Sequence, residues 1–255
     1  MNSNRALFAI ALAAVVAPLT TLAVRAQTPR VDPAAVQTLK RMTDYISRLQ
    51  KFSVHTESTL EYWSDRGQRI DHDVAANLTL RRPNKIHAKR VGELVEQEFY
   101  YDGETLTFYL PSKRVYATKP APGTIEELLD HTREELGLII PVEDLVYSNA
   151  LDIMMNDVTD ATVVGKSVIG GVTCDHLAFV RRDIDFQIWV AEGDRPLPCK
   201  YVVTDPRTPP VSTITVTSDW NLDPATADTE FKFVPPEGAT AIPFIPAEGT
   251  ISFGR

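Results

Sequence analysis

The sequence predicts an α+β protein in which a long meander of antiparallel strands is covered by helices. Three observations lead there. One amphipathic helix opens the chain after its leader, a block of period-two alternation with regular turn residues follows, and a helical stretch separates that block from a second block of strands.

The first residues read as an export signal. Arg5 precedes an apolar run from Ala6 to Ala17, and Val24-Arg25-Ala26 offers small residues at the usual cleavage positions, so residues 1–26 are expected to be a removable secretory signal peptide. Pro18, Thr20 and Thr21 break the run before the roughly 18 apolar residues a membrane anchor needs. No Cys follows the cleavage position. The mature chain, 27–255, is therefore expected to be a single exported domain, periplasmic and without a transmembrane span. Its formal charge is −8 before cleavage, and losing Arg5 and Arg25 makes it more negative by two. Phosphate affinity comes from clustered Lys and Arg, so nucleic acid is excluded as a partner.

Asp32-Pro33 places an N-cap residue and a proline at the first helical position. Val36, Leu39, Met42, Ile46 and Leu49 then recur at helical spacing, which predicts one amphipathic helix over 32–50. From Phe52 to about Thr118 the alternation is that of strands, punctuated at Asp65-Arg66-Gly67, Arg82-Pro83-Asn84, Tyr101-Asp102-Gly103 and Pro111-Ser112-Lys113. Leu106, Phe108 and Leu110 share one face. Thr124 and Glu127 form a capping-box pair, and Ile125, Leu128, Leu129 and Leu136 line a helix ending near Gly137. After Pro141 a second helical stretch carries Val142, Leu145, Val146, Ile153 and Met154. Together these make a helical insertion near 124–156.

Strands resume at Ala161–Ile169 and continue through Gly170–Thr204. If Arg182-Asp183 is a two-residue turn, Phe179 falls opposite Phe186, Leu177 opposite Ile188 and Asp175 opposite Val190, so Leu177, Phe179, Phe186, Ile188 and Val190 share an apolar face. Val211–Trp220 reads as a further strand. Beyond Asp223-Pro224, the proline-rich run at 235–239 and the residues after it read as an irregular tail.

Residues arranged for chemistry are few. The five histidines have no zinc-ligand spacing, and in Asp71-His72-Asp73 the imidazole points away from both neighbours on a strand, so no metal site is expected. Glu96 and Glu98 share a strand face of the kind usually solvated. Cys174 and His176 share a face, a weak thiol–imidazole arrangement. There is no nucleophile elbow and no phosphate-binding glycine loop. Neither an enzyme nor a cofactor is expected.

Cys174-Asp175-His176-Leu177-Ala178-Phe179, Asp185-Phe186-Gln187-Ile188-Trp189, Pro196-Leu197-Pro198 with Lys200, and the Tyr100-Tyr101-Asp102-Gly103 turn resemble a family of predicted periplasmic proteins of unassigned function. The order of elements resembles the outer-membrane lipoprotein carrier superfamily, which implies a curved, unclosed antiparallel barrel wrapped around helices and enclosing an apolar cavity. That resemblance implies a binding or carrier protein for an acyl chain, lipid or lipoprotein. Its cavity wall would be Phe99, Tyr101, Leu106, Phe108, Leu145, Met154, Leu177, Phe179, Phe186 and Ile188. The alternative is an envelope sensing or scaffolding module with a filled core and a protein partner.

Cys174 and Cys199, the only cysteines, are a disulfide candidate on compartment grounds. A regular meander argues against it, since the two flank Ala191 on outer strands about 9–10 Å apart, beyond the roughly 7 Å that a disulfide spans between α-carbons. The objection weakens at a strand end, where Pro198 bends the entry of the third strand.

Overall fold

The structure is a computed structural model that describes residues 30–94, 96–121, 123–136, 143–207 and 210–244, with the backbone alone for 133–136 and Glu143. The leader, Leu136's side chain, Gly137, Pro141 and Val142 lie outside this description. The main strands are β2 (Lys51–Trp63), β3 (Arg69–Arg81), β4 (Lys85–Gly92), β5 (Glu96–Tyr101), β6 (Thr105–Leu110), β7 (Val115–Pro120), β8 (Val158–Ile169), β9 (Val172–Arg181), β10 (Asp185–Ala191), β11 (Pro198–Asp205) and β12 (Val211–Asn221). Two-residue strands β1 (Arg30–Val31) and β13 (Thr240–Ala241) complete one 13-stranded sheet of order β1-β8-β9-β10-β11-β12-β2-β3-β4-β5-β6-β7-β13. The sheet is antiparallel except at its two ends, where β1 runs parallel to β8 and β13 parallel to β7. Its end strands do not pair with each other, so the barrel stays open.

Helix α1 (Pro33–Arg48) starts as its sequence dictates, with Asp32 Oδ1 accepting from Ala34 N at 2.8 Å. Ala35, Leu39, Met42 and Ile46 are buried, the stripe that a 3.6-residue period turns toward the sheet. Helix α2 (Ile125–Leu136) is capped reciprocally. Thr124 N donates to Glu127 Oε2 at 2.7 Å and Glu127 N to Thr124 Oγ1 at 3.2 Å. The second helical stretch is broken into α3 (Glu143–Val146) and α4 (Ala150–Met155), where the sequence predicted one continuous run. The break lies at Tyr147-Ser148-Asn149, where Glu126 on α2 accepts from Ser148 N at 2.8 Å and Asp130 from the Tyr147 hydroxyl at 2.7 Å. Two carboxylates of α2 thus hold the loop in place of a further helical turn.

Phe179 and Phe186 from one side of the sheet and Tyr101 and Leu106 from the other belong to a single buried cluster with Leu39, Met42, Ile125 and Leu129. Because β11, β12, β2, β3 and β4 intervene in the strand order, the sheet must curl around its helices for these side chains to meet.

The tail departs from expectation. After β12 the chain crosses the outer face of the sheet instead of ending irregularly. Phe231 is fully buried beneath the Arg81 guanidinium, 5.1 Å from its ring centroid, and Phe233 sits against Tyr100, Tyr109 and Tyr116 at 5.4, 5.3 and 4.9 Å. Strand β13 then pairs with β7, and Phe244 reaches Phe108 on the inner face at 5.7 Å. The segment clasps the sheet edge from both sides, which covers backbone groups that an open edge would leave unpaired.

Candidate functional site: the concave face of the sheet

Register decides which side chains share the concave face. From one end of the trough, one rung is Phe52, Leu80, Ile86, Tyr101 and Leu106; the next is Val54, Leu78, Ala88, Phe99 and Phe108. On the far side Phe179 pairs with Phe186 and Leu177 with Ile188, the register the turn at Arg182-Asp183 predicts. The rings of Phe179 and Phe186 stack at 4.5 Å and those of Phe99 and Phe108 meet edge-on at 5.0 Å. All the residues expected to form a cavity wall, including Leu145 and Met154 from the helices, therefore fall in one cluster; Phe108 is partly buried and packs against it.

The apolar pocket that the described residues line beside this cluster is small. The apolar pocket between α1, α3 and the sheet, lined by Ile46, Phe52, Val54, Leu78, Leu145, Val146 and Trp220 among others, holds about 20 Å³. That is room for about one water molecule, whereas ligand sites are about 300–1,000 Å³. The described helices of the insertion pack against the concave face, with Ile125, Leu129, Leu145 and Met154 in the same cluster as the sheet residues.

Among the described residues, specific hydrogen bonds tie the cover to α1 and the sheet, including one from Lys119 Nζ on β7 to His131 Nε2 on α2 at 2.5 Å. Arg82 donates from Nε to Leu49 O at 3.1 Å and from Nη2 to Val146 O at 2.6 Å, joining the end of α1 to α3, and burial lowers its guanidinium pKa. Ile125 N donates to Pro83 O at 2.8 Å, and the Tyr101 hydroxyl donates to Gly123 O at 2.7 Å. Burial and the nearby Glu127 and Asp102 carboxylates push Tyr101 up to about 12.

Beyond the apolar rungs the concave face turns polar. In β12 the threonines point inward, with Thr215 fully buried and Thr217 nearly so, while Ile214 packs on the outer face. Thr56, Ala76, Arg90 and Gln97 follow one another across β2–β5, and Tyr201, Thr215, Ser58 and Val74 form the next rung from β11 to β3. Ser58 and Thr215 satisfy each other at 2.9 Å. Neither Arg90 nor Tyr201 stands out in the sequence. The signal for Arg90 is its parity: it shares a face with Ile86 and Ala88, where a charge breaks the pattern.

Cys174 and Cys199 are bonded, with α-carbons 6.9 Å apart. Register shows how. Trp189 pairs with Lys200 and Val190 with Pro198, so Cys199 is the extra residue of a bulge beside Cys174, which pairs with Ala191. The bond rests in an outer-face cluster with Trp189, Ala191 and Val202. The thiol–imidazole arrangement is thereby excluded: His176 instead stacks on Trp189 at 3.9 Å and hydrogen-bonds Gln187 at 2.9 Å. Glu98 is not a solvated edge either. Its side chain is 15% exposed and accepts from the Tyr100 hydroxyl at 2.6 Å, with Lys89 Nζ at 3.2 Å. Burial works to raise its carboxyl, but these partners outweigh it and hold the pKa below the ordinary value. Among the described residues no group of His, Cys, Asp and Glu is arranged to hold a metal, and no helix is long and apolar enough to cross a membrane.

An open, mostly antiparallel sheet curled around its own helices is the architecture of this chain, and its sequence places it in a family. The family described as "Predicted periplasmic protein (DUF2092)" matches residues 35–245, and the chain belongs to it. No curated protein matches. Among solved structures, an uncharacterized conserved protein from Thermus thermophilus is similar at 10% identity over 82% of this chain and 99% of that one, with a TM-score of 0.49. LprF from Mycobacterium bovis is similar at 13% identity over 83% and 100%, with a TM-score of 0.47. A LolA superfamily protein from Nitrosomonas europaea is similar at 11% identity over 78% and 97%, with a TM-score of 0.39.

Proposed function

We propose that this protein is a periplasmic binding or carrier protein for an apolar ligand, an acyl chain, lipid or lipoprotein, and that it acts without catalysis after its leader is removed. The observation that carries this reading is a continuous apolar face covered by separate short helices instead of a second sheet. A ligand would take the place of α2–α4 on that face. Displacing the insertion exposes Ile125, Leu128, Leu129 and Leu145, all buried. The exchange is near balance, because apolar area lost by the helices is regained by the ligand at roughly 25 cal/mol per Å². Saturable binding of a fluorescent fatty acid, with a blue shift that unlabelled fatty acid reverses, is the expected result. A protein that produces no such signal is not a carrier of this kind.

The small size of the apolar pocket, about 20 Å³, favours a second reading: a sensing or scaffolding module whose partner is another envelope protein and whose apolar face is simply core. Under that reading no fatty acid binds, and a protein partner co-purifies in stoichiometric amount.

A further inference from the structure

We infer that Arg90 and Tyr201 form a head-group station on the concave face, which binds the anionic end of a single-chain amphiphile, a carboxylate or a phosphate monoester. This rests on the apolar-ligand reading above and adds the chemistry of the ligand's polar end.

The two residues come from strands β4 and β11, separated in the sheet by β12, β2 and β3. Arg90 faces inward because it shares parity with Ile86 and Ala88, and Tyr201 because it pairs with the inward Ile188. Curvature of the sheet brings them into each other's field across the trough. The Arg90 guanidinium is partly buried and makes no ion pair or hydrogen bond among the described residues. The Tyr201 hydroxyl is buried and makes no hydrogen bond of good geometry among the described residues, although Thr215 is near enough to shift its pKa. Thr215 lies beside it but is engaged with Ser58.

Buried polar groups are nearly always partnered, and a group that is not calls for an explanation, of which a bound ligand is one. Both groups here offer N–H or O–H donors, and together they carry one positive charge. Their complement is an acceptor with negative charge, and a guanidinium fork matches the geometry of a carboxylate or phosphate. The station adjoins the apolar rungs of Val54, Leu78 and Ala88, so a head group held there directs its chain onto them. Burial raises the pKa of the Tyr201 hydroxyl, while Arg90 lowers it and the charge of Asp144 on α3 adds to the rise.

The test compares palmitate, hexadecyl phosphate and hexadecanol by isothermal titration calorimetry on the full mature chain. Both anions are expected to bind at least about tenfold tighter than the alcohol, the scale of a charged hydrogen-bonded contact, and their ranking identifies which anion the site prefers. Arg90→Met should erase that advantage, bringing both anions to the affinity of hexadecanol. Tyr201→Phe should reduce the advantage several-fold with no loss of melting temperature, since it removes only an unpartnered hydroxyl. If the alcohol binds the unmodified protein as tightly as the anions, or Arg90→Met keeps their advantage, the station is wrong while the apolar-ligand reading stands. If none of the three binds, that reading fails, and the station with it.

Discussion

At the scale of single residues, burial and partnering separate what is structural from what is available. Phe179 is 1% exposed and stacked on Phe186, so Phe179→Ala should destabilise the protein by about 3–5 kcal/mol in urea unfolding. A loss below about 1 kcal/mol would mean that the ring lines space instead of filling it. His87 makes a second prediction. Its Nε2 is buried without a partner and its ring stacks on Tyr100 at 4.4 Å. Desolvation lowers its pKa, against Glu98 and Glu230, which raise it, and with Lys89, which lowers it further. The folded protein therefore holds this imidazole neutral, whereas the unfolded chain takes up a proton near pH ~6.5. Between that pH and the lower folded value the unfolded state binds more protons, so stability is lost as pH falls through the window. Urea midpoints at about pH 5 and 7.5, either side of the ordinary imidazole value, should lie closer together in His87→Gln than in the unmodified protein, and an unchanged difference would contradict the assignment.

At the scale of elements, the strength of each connection sets what can move. The Cys174–Cys199 bond closes a loop with a sequence separation of 25, and replacing both cysteines with Ala should cost about 3 kcal/mol, read as a lower melting temperature under oxidising conditions only. Arg82 is the clamp between α1 and α3. Arg82→Ala leaves two carbonyls unpartnered, so it should destabilise by about 2–3 kcal/mol and speed uptake of a fluorescent fatty acid in stopped flow. Slower uptake would show that the clamp does not restrain the cover. Most of these elements are legible in the sequence because their periods are unmixed: the stripe from Leu39 to Ile46, the Thr124–Glu127 box, and the alternation that fixes Phe179 against Phe186. The break between α3 and α4 is not, because it depends on carboxylates of α2 reaching Ser148 and Tyr147. The C-terminal clasp is hidden for the same reason. Phe231 and Phe233 sit in a proline-rich stretch with no period, and only the tyrosines of distant strands give Phe233 a place.

At the scale of the whole molecule, the open sheet and its helical insertion follow from the order of the blocks, and the apolar residues expected to face a cavity do converge. Whether that face is empty or filled is invisible in the sequence. Ile125, Leu128 and Leu129 have the same pattern whether they cap a cavity or occupy it, and the difference lies in how far the sheet curls. The polar rungs are equally hidden, because alternation alone does not say whether Ile214 and Val216 or the threonines of β12 face in. If the concave face exchanges its own helices for an acyl chain, native mass spectrometry of protein gently purified from its own periplasm should show it. A bound mass of an acyl-chain compound, removable by organic extraction and restored by added palmitate, is the expected result. A clean unliganded mass that stays unchanged on adding palmitate would contradict the exchange.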